Sequence, residues 1–266
     1  MKLTMLGTGS ALVTECYNTC FAIHEEDRVF LVDGGGGNTV LNQLKKADID
    51  WKNIRDIFVT HKHIDHVMGI VWMIRLISQN MSQGNYEGEA RIYAHQELID
   101  ILKDISNMLL QPKQTKFIGD RLHLIPVKSG QSYRIIGNEV TFFDINSTKA
   151  KQFGFTMSLD NGEKITCCGD EPYNDSEREY VLGSKWLMHE AFCLYKHADI
   201  FKPYEKHHST VKEACQVAED LGVKNLILYH TEDKNIKHRK ELYTNEGKEF
   251  FNGNIYVPED LESFDL

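Results

Sequence analysis

The segment Thr60-His61-Lys62-His63-Ile64-Asp65-His66 places four metal-ligand side chains within six residues. In an extended segment, side chains at i and i+2 point to the same side. His61 and His63 can therefore present two imidazoles to one cation. Asp65 and His66 fall where the chain turns into the next element. They can face a second cation, about 3.5–4 Å from the first in two-metal hydrolytic sites. A polar loop has no need of this spacing, whereas a binuclear hydrolase does.

Four later positions carry compatible chemistry. Asp170 follows Cys167-Cys168-Gly169, just past an expected strand, where one carboxylate can bridge two ions. His230 closes the apolar run Leu226-Ile227-Leu228-Tyr229. An imidazole at the C-terminal end of a strand points into a site at the sheet edge. His208 precedes Ser209-Thr210, a pair suited to capping a helix from Val211. Glu190 follows His189 at the end of another strand. Alone, each is more often a cap or a satisfied surface group. Their joint occurrence, in this order after the histidine run, is the specific signal.

The elements that must hold these groups alternate along the chain. Strands are predicted over Lys2–Leu6, Thr19–His24, Arg28–Val32, Ile54–Thr60 and Ala90–Ala94. Helices are predicted near Thr39–Lys46, Val67–Gln79 and Gln96–Leu110. A run of β segments follows between Leu122 and Cys168, punctuated by Ser129-Gly130, Gly137-Asn138 and Asp160-Asn161-Gly162. Then come a strand at Trp186–His189, a helix at Val211–Leu221, a strand at Asn225–His230 and a helix at Lys237–Asn245. Two halves, each of strands followed by helices, predict two sheets with helices outside and ligands on loops at strand ends.

Composition bounds the reading. The chain has 266 residues, enough for a sizeable core, and 41% apolar residues with no run long enough to span a membrane. Six scattered cysteines are too few for a disulfide scaffold, and Met1–Gly7 reads as a first strand rather than an export signal. A cytoplasmic protein with reduced thiols is expected. The net charge of −9 gives no overall field to attract nucleic acid. A local basic patch is still open, from Lys202 and Lys206 before His208 and from Lys234, Lys237, Arg239 and Lys240 after His230; such runs are as often solvated surface.

The Thr-His-x-His-x-Asp-His motif, the Gly-Asp after a middle strand and the late strand-terminal histidine resemble the metallo-β-lactamase superfamily. Leu6-Gly7-Thr8-Gly9-Ser10-Ala11, Asp33-Gly34-Gly35-Gly36, His189-Glu190-Ala191 and His208-Ser209-Thr210 bring the resemblance closest to ribonuclease Z-like phosphodiesterases, essentially end to end. The resemblance implies an α/β fold, an αββα sandwich of two mixed β-sheets flanked by helices, as a single hydrolase domain over residues 1–266. It implies a binuclear zinc site, with His61 and His63 on the first ion, Asp65, His66 and His230 on the second, and Asp170 bridging. Mn2+ or Fe could serve the same donors. It further implies a zinc-activated water or hydroxide attacking a phosphodiester, with Asp65 orienting the nucleophile, His208 serving the leaving oxygen and Glu190 supporting His208. A homodimer is expected from the resemblance alone.

Two departures bear on function. The family's third histidine for the first ion has no counterpart, since no histidine lies between His123 and His189. Asn146, at a strand end, is the candidate for that position. An amide oxygen is a weak zinc ligand, so the first site is expected to be weakened. The short connections between Phe142 and Asp170, and from Asp170 to His189, also leave little room for a tRNA-gripping arm. A small phosphodiester, a cyclic nucleotide or a short nucleic acid end stay open as substrates. So do two alternatives on the same fold: a hydrolase of a small ester or amide, and a metal-depleted binding protein.

Overall fold

The computed structural model of the chain describes residues 1–159 and 161–266. The turn expected at Asp160-Asn161-Gly162 therefore includes one residue, Asp160, outside the described residues. The chain divides into two compact units that exchange short segments. Unit 1 comprises Met1–Gly7, Tyr17–Val127 and Asp260–Leu266; unit 2 comprises Thr8–Cys16 and Lys128–Glu259.

Unit 1 is built on a seven-stranded sheet of β1 (Lys2–Gly7), β2 (Cys20–Glu25), β3 (Arg28–Val32), β4 (Ile54–Phe58), β5 (Ala90–Ala94), β6 (Leu122–Pro126) and the late strand β14 (Ser263–Asp265). Their spatial order is β14-β1-β2-β3-β4-β5-β6. Pairing is antiparallel from β14 to β3 and parallel from β3 to β6. The parallel part needs crossovers, which α1 (Thr39–Lys46), α2 (Ile64–Gln83) and α3 (Gln96–Leu109) supply. Ala22, Leu31, Ile57 and Ile92 of the sheet bury one face against Val40, Leu44, Ile70, Ile74, Ile77 and Leu98 of these helices. Fully burying such side chains contributes about 1.5–3 kcal/mol each. The single-turn helix α4 (Pro112–Thr115) follows.

Unit 2 repeats that succession. Its sheet contains β7 (Gln131–Ile135), β8 (Asn138–Asp144), β9 (Phe153–Ser158), β10 (Lys164–Cys167), β11 (Trp186–Glu190), β12 (Asn225–Tyr229) and β13 (Asn254–Tyr256), in the order β13-β12-β11-β10-β9-β8-β7. Pairing is antiparallel from β7 to β10 and parallel from β10 to β13. Short helices α5 (Arg178–Val181) and α6 (Ala198–Phe201) precede α7 (Val211–Asp220) and α8 (Arg239–Gly247). Leu187, Leu226 and Leu228 pack with Val211, Ala214 and Ala218 of α7 and Tyr243 of α8.

Some boundaries differ from expectation. Helix α2 begins at Ile64 and ends at Gln83, earlier and later than the apolar period indicates. Asp65 lies in its first turn, where a carboxylate meets the positive helix end, and Gly84 ends it at φ 75°. Strands β13 and β14, three residues each, are too short to show an alternation, and their ladder partners define them. Among the described residues no helix is long and apolar enough to cross a membrane, and the six cysteines are free thiols.

Candidate functional site

In unit 1 the histidine run leaves β4 and enters α2. His61 is fully buried, its Nδ1 2.9 Å from Thr60 Oγ1 and its Nε2 2.8 Å from His63 Nδ1. The two imidazoles expected to share one face do converge. The His61 and His66 rings lie 4.2 Å apart, and His66 Nε2 is 3.4 Å from Asp65 Oδ2. All but His63 are buried.

Asp33, at the end of β3, is the organiser of this set. Its Oδ1 accepts from Thr60 N at 2.9 Å, and its Oδ2 accepts from Thr60 Oγ1 at 2.8 Å and lies 2.7 Å from His66 Nδ1. A carboxylate at Nδ1 holds the proton there and puts the lone pair on Nε2, the arrangement of metal-binding histidines. Asp33 adopts φ 58°, a left-handed conformation for a non-glycine residue at a strand end. The next turn depends on two glycines. Gly34 N donates to His66 O and Gly69 N donates to Gly35 O, both at 2.9 Å. A Cβ on Gly69 would collide with the Gly34 carbonyl, so only glycine lets the start of α2 lie this close to the β3 loop.

Unit 2 gathers the other candidates at the C-terminal ends of β10, β11 and β12. Asp170 Oδ2 and His230 Nε2 are 3.4 Å apart, and both residues are buried. His230 sits at φ 56° and Gly169 at φ 77°, so the chain leaves both strands by sharp left-handed turns. The His208 and His230 rings are 5.1 Å apart, and Phe192 stacks on His208 at 5.0 Å. Glu190, His208 and His230 each offer a ligand atom within 4.8 Å of the others.

Glu190 is fully buried. Its Oε1 accepts from Ser209 N and, at 2.7 Å, from Ser209 Oγ; its Oε2 lies 3.6 Å from His208 Nδ1. Burial opposes the charge on His208, but the carboxylates of Glu190 and then Asp170 outweigh it and raise the imidazole pKa. The expected cap is present: Thr210 and Glu213 form a capping box at the start of α7. That cap and the Val211 N to Cys193 O bond fix the segment carrying His208.

Asn146 follows the end of β8, as expected, but is exposed at φ 54° and its amide donates to Ser176 Oγ at 2.7 Å. The residue that reaches Asp170 is Gln152, buried, whose Nε2 donates to Asp170 Oδ1 at 2.7 Å. A Cβ on Gly169 would collide with that amide. Arg239, grouped by sequence with a basic patch, is buried instead. It donates to Thr231 Oγ1 at 2.7 Å, Thr8 Oγ1 at 3.1 Å and Pro258 O at 2.6 Å. Lys202, Lys206, Lys234, Lys237 and Lys240 are exposed.

Gln152 escaped the sequence reading, which named Asp33 and Ser209 only as part of a motif and of a helix cap, without these partners. Asp33 carried a signal, an acid directly after a strand and before four glycines. Gln152 carried none, because an amide that positions a carboxylate has no spacing of its own.

Buried imidazoles and carboxylates, with Asp33 setting the tautomer of His66, are donors that suit a divalent cation. With two mixed sheets flanked by helices, they define a metallo-hydrolase of the metallo-β-lactamase fold, ribonuclease Z-like in kind. The metallo-β-lactamase-fold protein YhfI of Bacillus subtilis superposes with a TM-score of 0.78 at 17% identity, covering 99% of this chain and 98% of that one. Human tRNase Z, short form, gives 0.74 at 22% identity over 100% and 99%. The ribonuclease Z of Nitrosopumilus maritimus is 26% identical, spanning 91% of this chain and 95% of the relative. That of Rippkaea orientalis is 27% identical, spanning 86% and 85%. The chain belongs to the family described as anti-Pycsar protein Apyc1, whose model matches residues 1–251.

Proposed function

We propose that the chain hydrolyses a phosphodiester, and that it acts by this chemistry in the anti-Pycsar role its family description states. The observation that carries the reading is the His208–Glu190 pair beside His230 and Asp170. A hydrolase acting on a phosphodiester needs a proton for the leaving oxygen, and an imidazole whose pKa is raised by a nearby buried carboxylate can give one. On this reading His61, His63, Asp65 and His66 of unit 1 and Asp170 and His230 of unit 2 hold up to two divalent ions. Zinc suits the nitrogen-rich set, and Mn2+ or Fe are the alternatives. Bound there, the ions supply Lewis acidity and lower the pKa of water towards about 7.

The chain's own residues do the rest. Asp33 keeps the His66 proton on Nδ1. Asp65 orients the attacking water. Glu190 raises the His208 pKa, and His208 passes its proton to the leaving oxygen. Asn146 leaves the His61–His63 site one nitrogen short, so the Asp65–His66–Asp170–His230 site fills first. The eight residues from Ile145 to Gln152 between β8 and β9 contain no regular element, so no arm for a tRNA body arises there. This favours a small phosphodiester or a short nucleic acid end. Localisation in the cytoplasm and a homodimer belong to the same proposal.

The test is turnover of bis(p-nitrophenyl) phosphate with metal content measured on the same sample. Turnover should vanish on chelation, return with Zn2+ or Mn2+, and fall sharply in His208→Ala at unchanged metal content. A metal-loaded protein that leaves every phosphodiester intact would refute the proposal.

A further inference from the structure

His208 has a carboxylate that attracts it but no hydrogen bond that orients it. Glu190 Oε2 lies 3.6 Å from His208 Nδ1, beyond hydrogen-bond distance, and both atoms are buried with no hydrogen-bond partner among the described residues. An attraction at that distance selects the edge of the imidazole that faces the carboxylate, but it does not fix the plane of the ring. The backbone is fixed: His208 N donates to Pro203 O at 2.9 Å, and His207 before it takes φ 56°. Two side-chain torsions are left to be set.

The group that can set them is Phe192. Its ring stacks on the His208 ring with centroids 5.0 Å apart and planes 14° from parallel. That separation lies in the range that stacked aromatic pairs adopt. The His230 ring, 5.1 Å from His208, is tilted by 41° and offers no parallel face.

Phe192 has little freedom of its own. Its N donates to Ser209 O at 3.0 Å, and its carbonyl accepts from Glu232 N at 2.8 Å and from Tyr243 Oη at 3.2 Å. Its side chain is buried. Phe201 of α6 meets the ring edge-on at 6.4 Å, and the Lys206 ammonium lies 4.7 Å from the ring centroid. Lys206 is exposed and two residues from His208, so one short segment supplies both the imidazole and the cation that meet Phe192. One member of the basic run before His208 thus has a defined place.

We propose, resting on the reading of His208 as the proton donor, that Phe192 is its positioning residue. The Phe192 ring, braced by Lys206, sets the imidazole plane so that Nδ1 faces Glu190 and Nε2 is presented to the leaving oxygen.

The test measures kcat/KM of the metal-loaded full chain on bis(p-nitrophenyl) phosphate and on diphenyl phosphate. Phenolate is the more basic leaving group and needs the proton more, so a misplaced donor costs more on diphenyl phosphate. A defect of folding or of metal binding lowers both rates alike. His208→Ala sets the scale of the preference. Phe192→Leu should lower kcat/KM on diphenyl phosphate about 10- to 100-fold and distinctly less on bis(p-nitrophenyl) phosphate, with unchanged metal content and circular dichroism. Lys206→Met, at an exposed position, should show the same preference with a loss of about two- to five-fold, and it decides the matter if Phe192→Leu does not fold. Equal losses on the two substrates in these variants, with His208→Ala still selective, would overturn this inference alone. An unselective His208→Ala would overturn the proton-donor reading and this inference with it.

Discussion

Replacing Asp33 by Asn tests how the histidine run is made into a ligand set. The substitution is nearly isosteric and keeps an oxygen to accept from Thr60 N, a bond of 2.9 Å, while the oxygen it removes is the one that also accepts from the Thr60 hydroxyl at 2.8 Å. It replaces the carboxylate oxygen 2.7 Å from His66 Nδ1 with an amide that donates. The imidazole must then carry its proton on Nε2, the atom that should bind metal. Loss of such an outer partner costs about 10- to 100-fold in metal affinity, or about 1.4–2.7 kcal/mol. Removing a charge-assisted buried bond costs about 1.5–3 kcal/mol of fold stability as well. Zinc affinity would be measured by chelator competition, and stability by urea unfolding of the metal-free protein. Separating the two matters, because a folding defect alone shifts the second measurement and leaves the first intact. If Asp33→Asn binds zinc within about three-fold of the parent, below the 10- to 100-fold expected, Asp33 does not set the tautomer of a metal ligand.

Asn146→His should raise the second equivalent of zinc bound and the hydrolytic rate together, and histidine tolerates the φ of 54° there; an unchanged metal count would place the third ligand elsewhere. Glu190→Gln should lower the His208 pKa, so the alkaline fall in kcat moves to lower pH and kcat drops about 10- to 100-fold, with metal content unchanged; an unmoved pH profile would remove Glu190 from the positioning of His208. Glu177, buried beside Cys168, has its carboxyl pKa raised to about 8 by desolvation. The native state therefore holds a proton that the unfolded state releases. The contribution is complete below about pH 4.5 and is lost as pH rises through about 8, at most about 5 kcal/mol in all. The stability difference between the parent and Glu177→Gln, measured by urea unfolding from pH 5 to 9, should fall with pH; a difference that stays flat would show that Glu177 ionises normally.

Much of this was legible in the residues, for reasons that differ between elements. Strands β1 to β5 carry long apolar runs, and their bounds fall within two residues of the alternation. His61, His63, Asp65 and His66 were legible because donors at fixed local spacing leave a trace. Asp170, Glu190 and His230 were legible because each lies at or just past a strand end, and His208 because it precedes a helix cap. Asp33 and Gln152 were not, since their roles depend on His66 and Asp170, far away in sequence. Arg239 shows the converse: a cation in a basic run is indistinguishable by sequence from one folded inward to hold three oxygens.

The exchange of segments between the units has a consequence for the order of assembly. Strand β14 pairs with β1 through Lys2↔Asp265 and Leu3↔Phe264, and Asp260 accepts from Tyr17 N at 2.6 Å. The sheet that carries the histidine run is thus finished only after residues 128–259 have been synthesised. Until then β1 is an open edge, and an open edge is where chains pair with the wrong neighbour. During synthesis the nascent chain must keep its first strand protected for as long as unit 2 takes to emerge. Yield and aggregation should therefore be more sensitive to changes in Ser263–Asp265 than the small area of that strand would suggest.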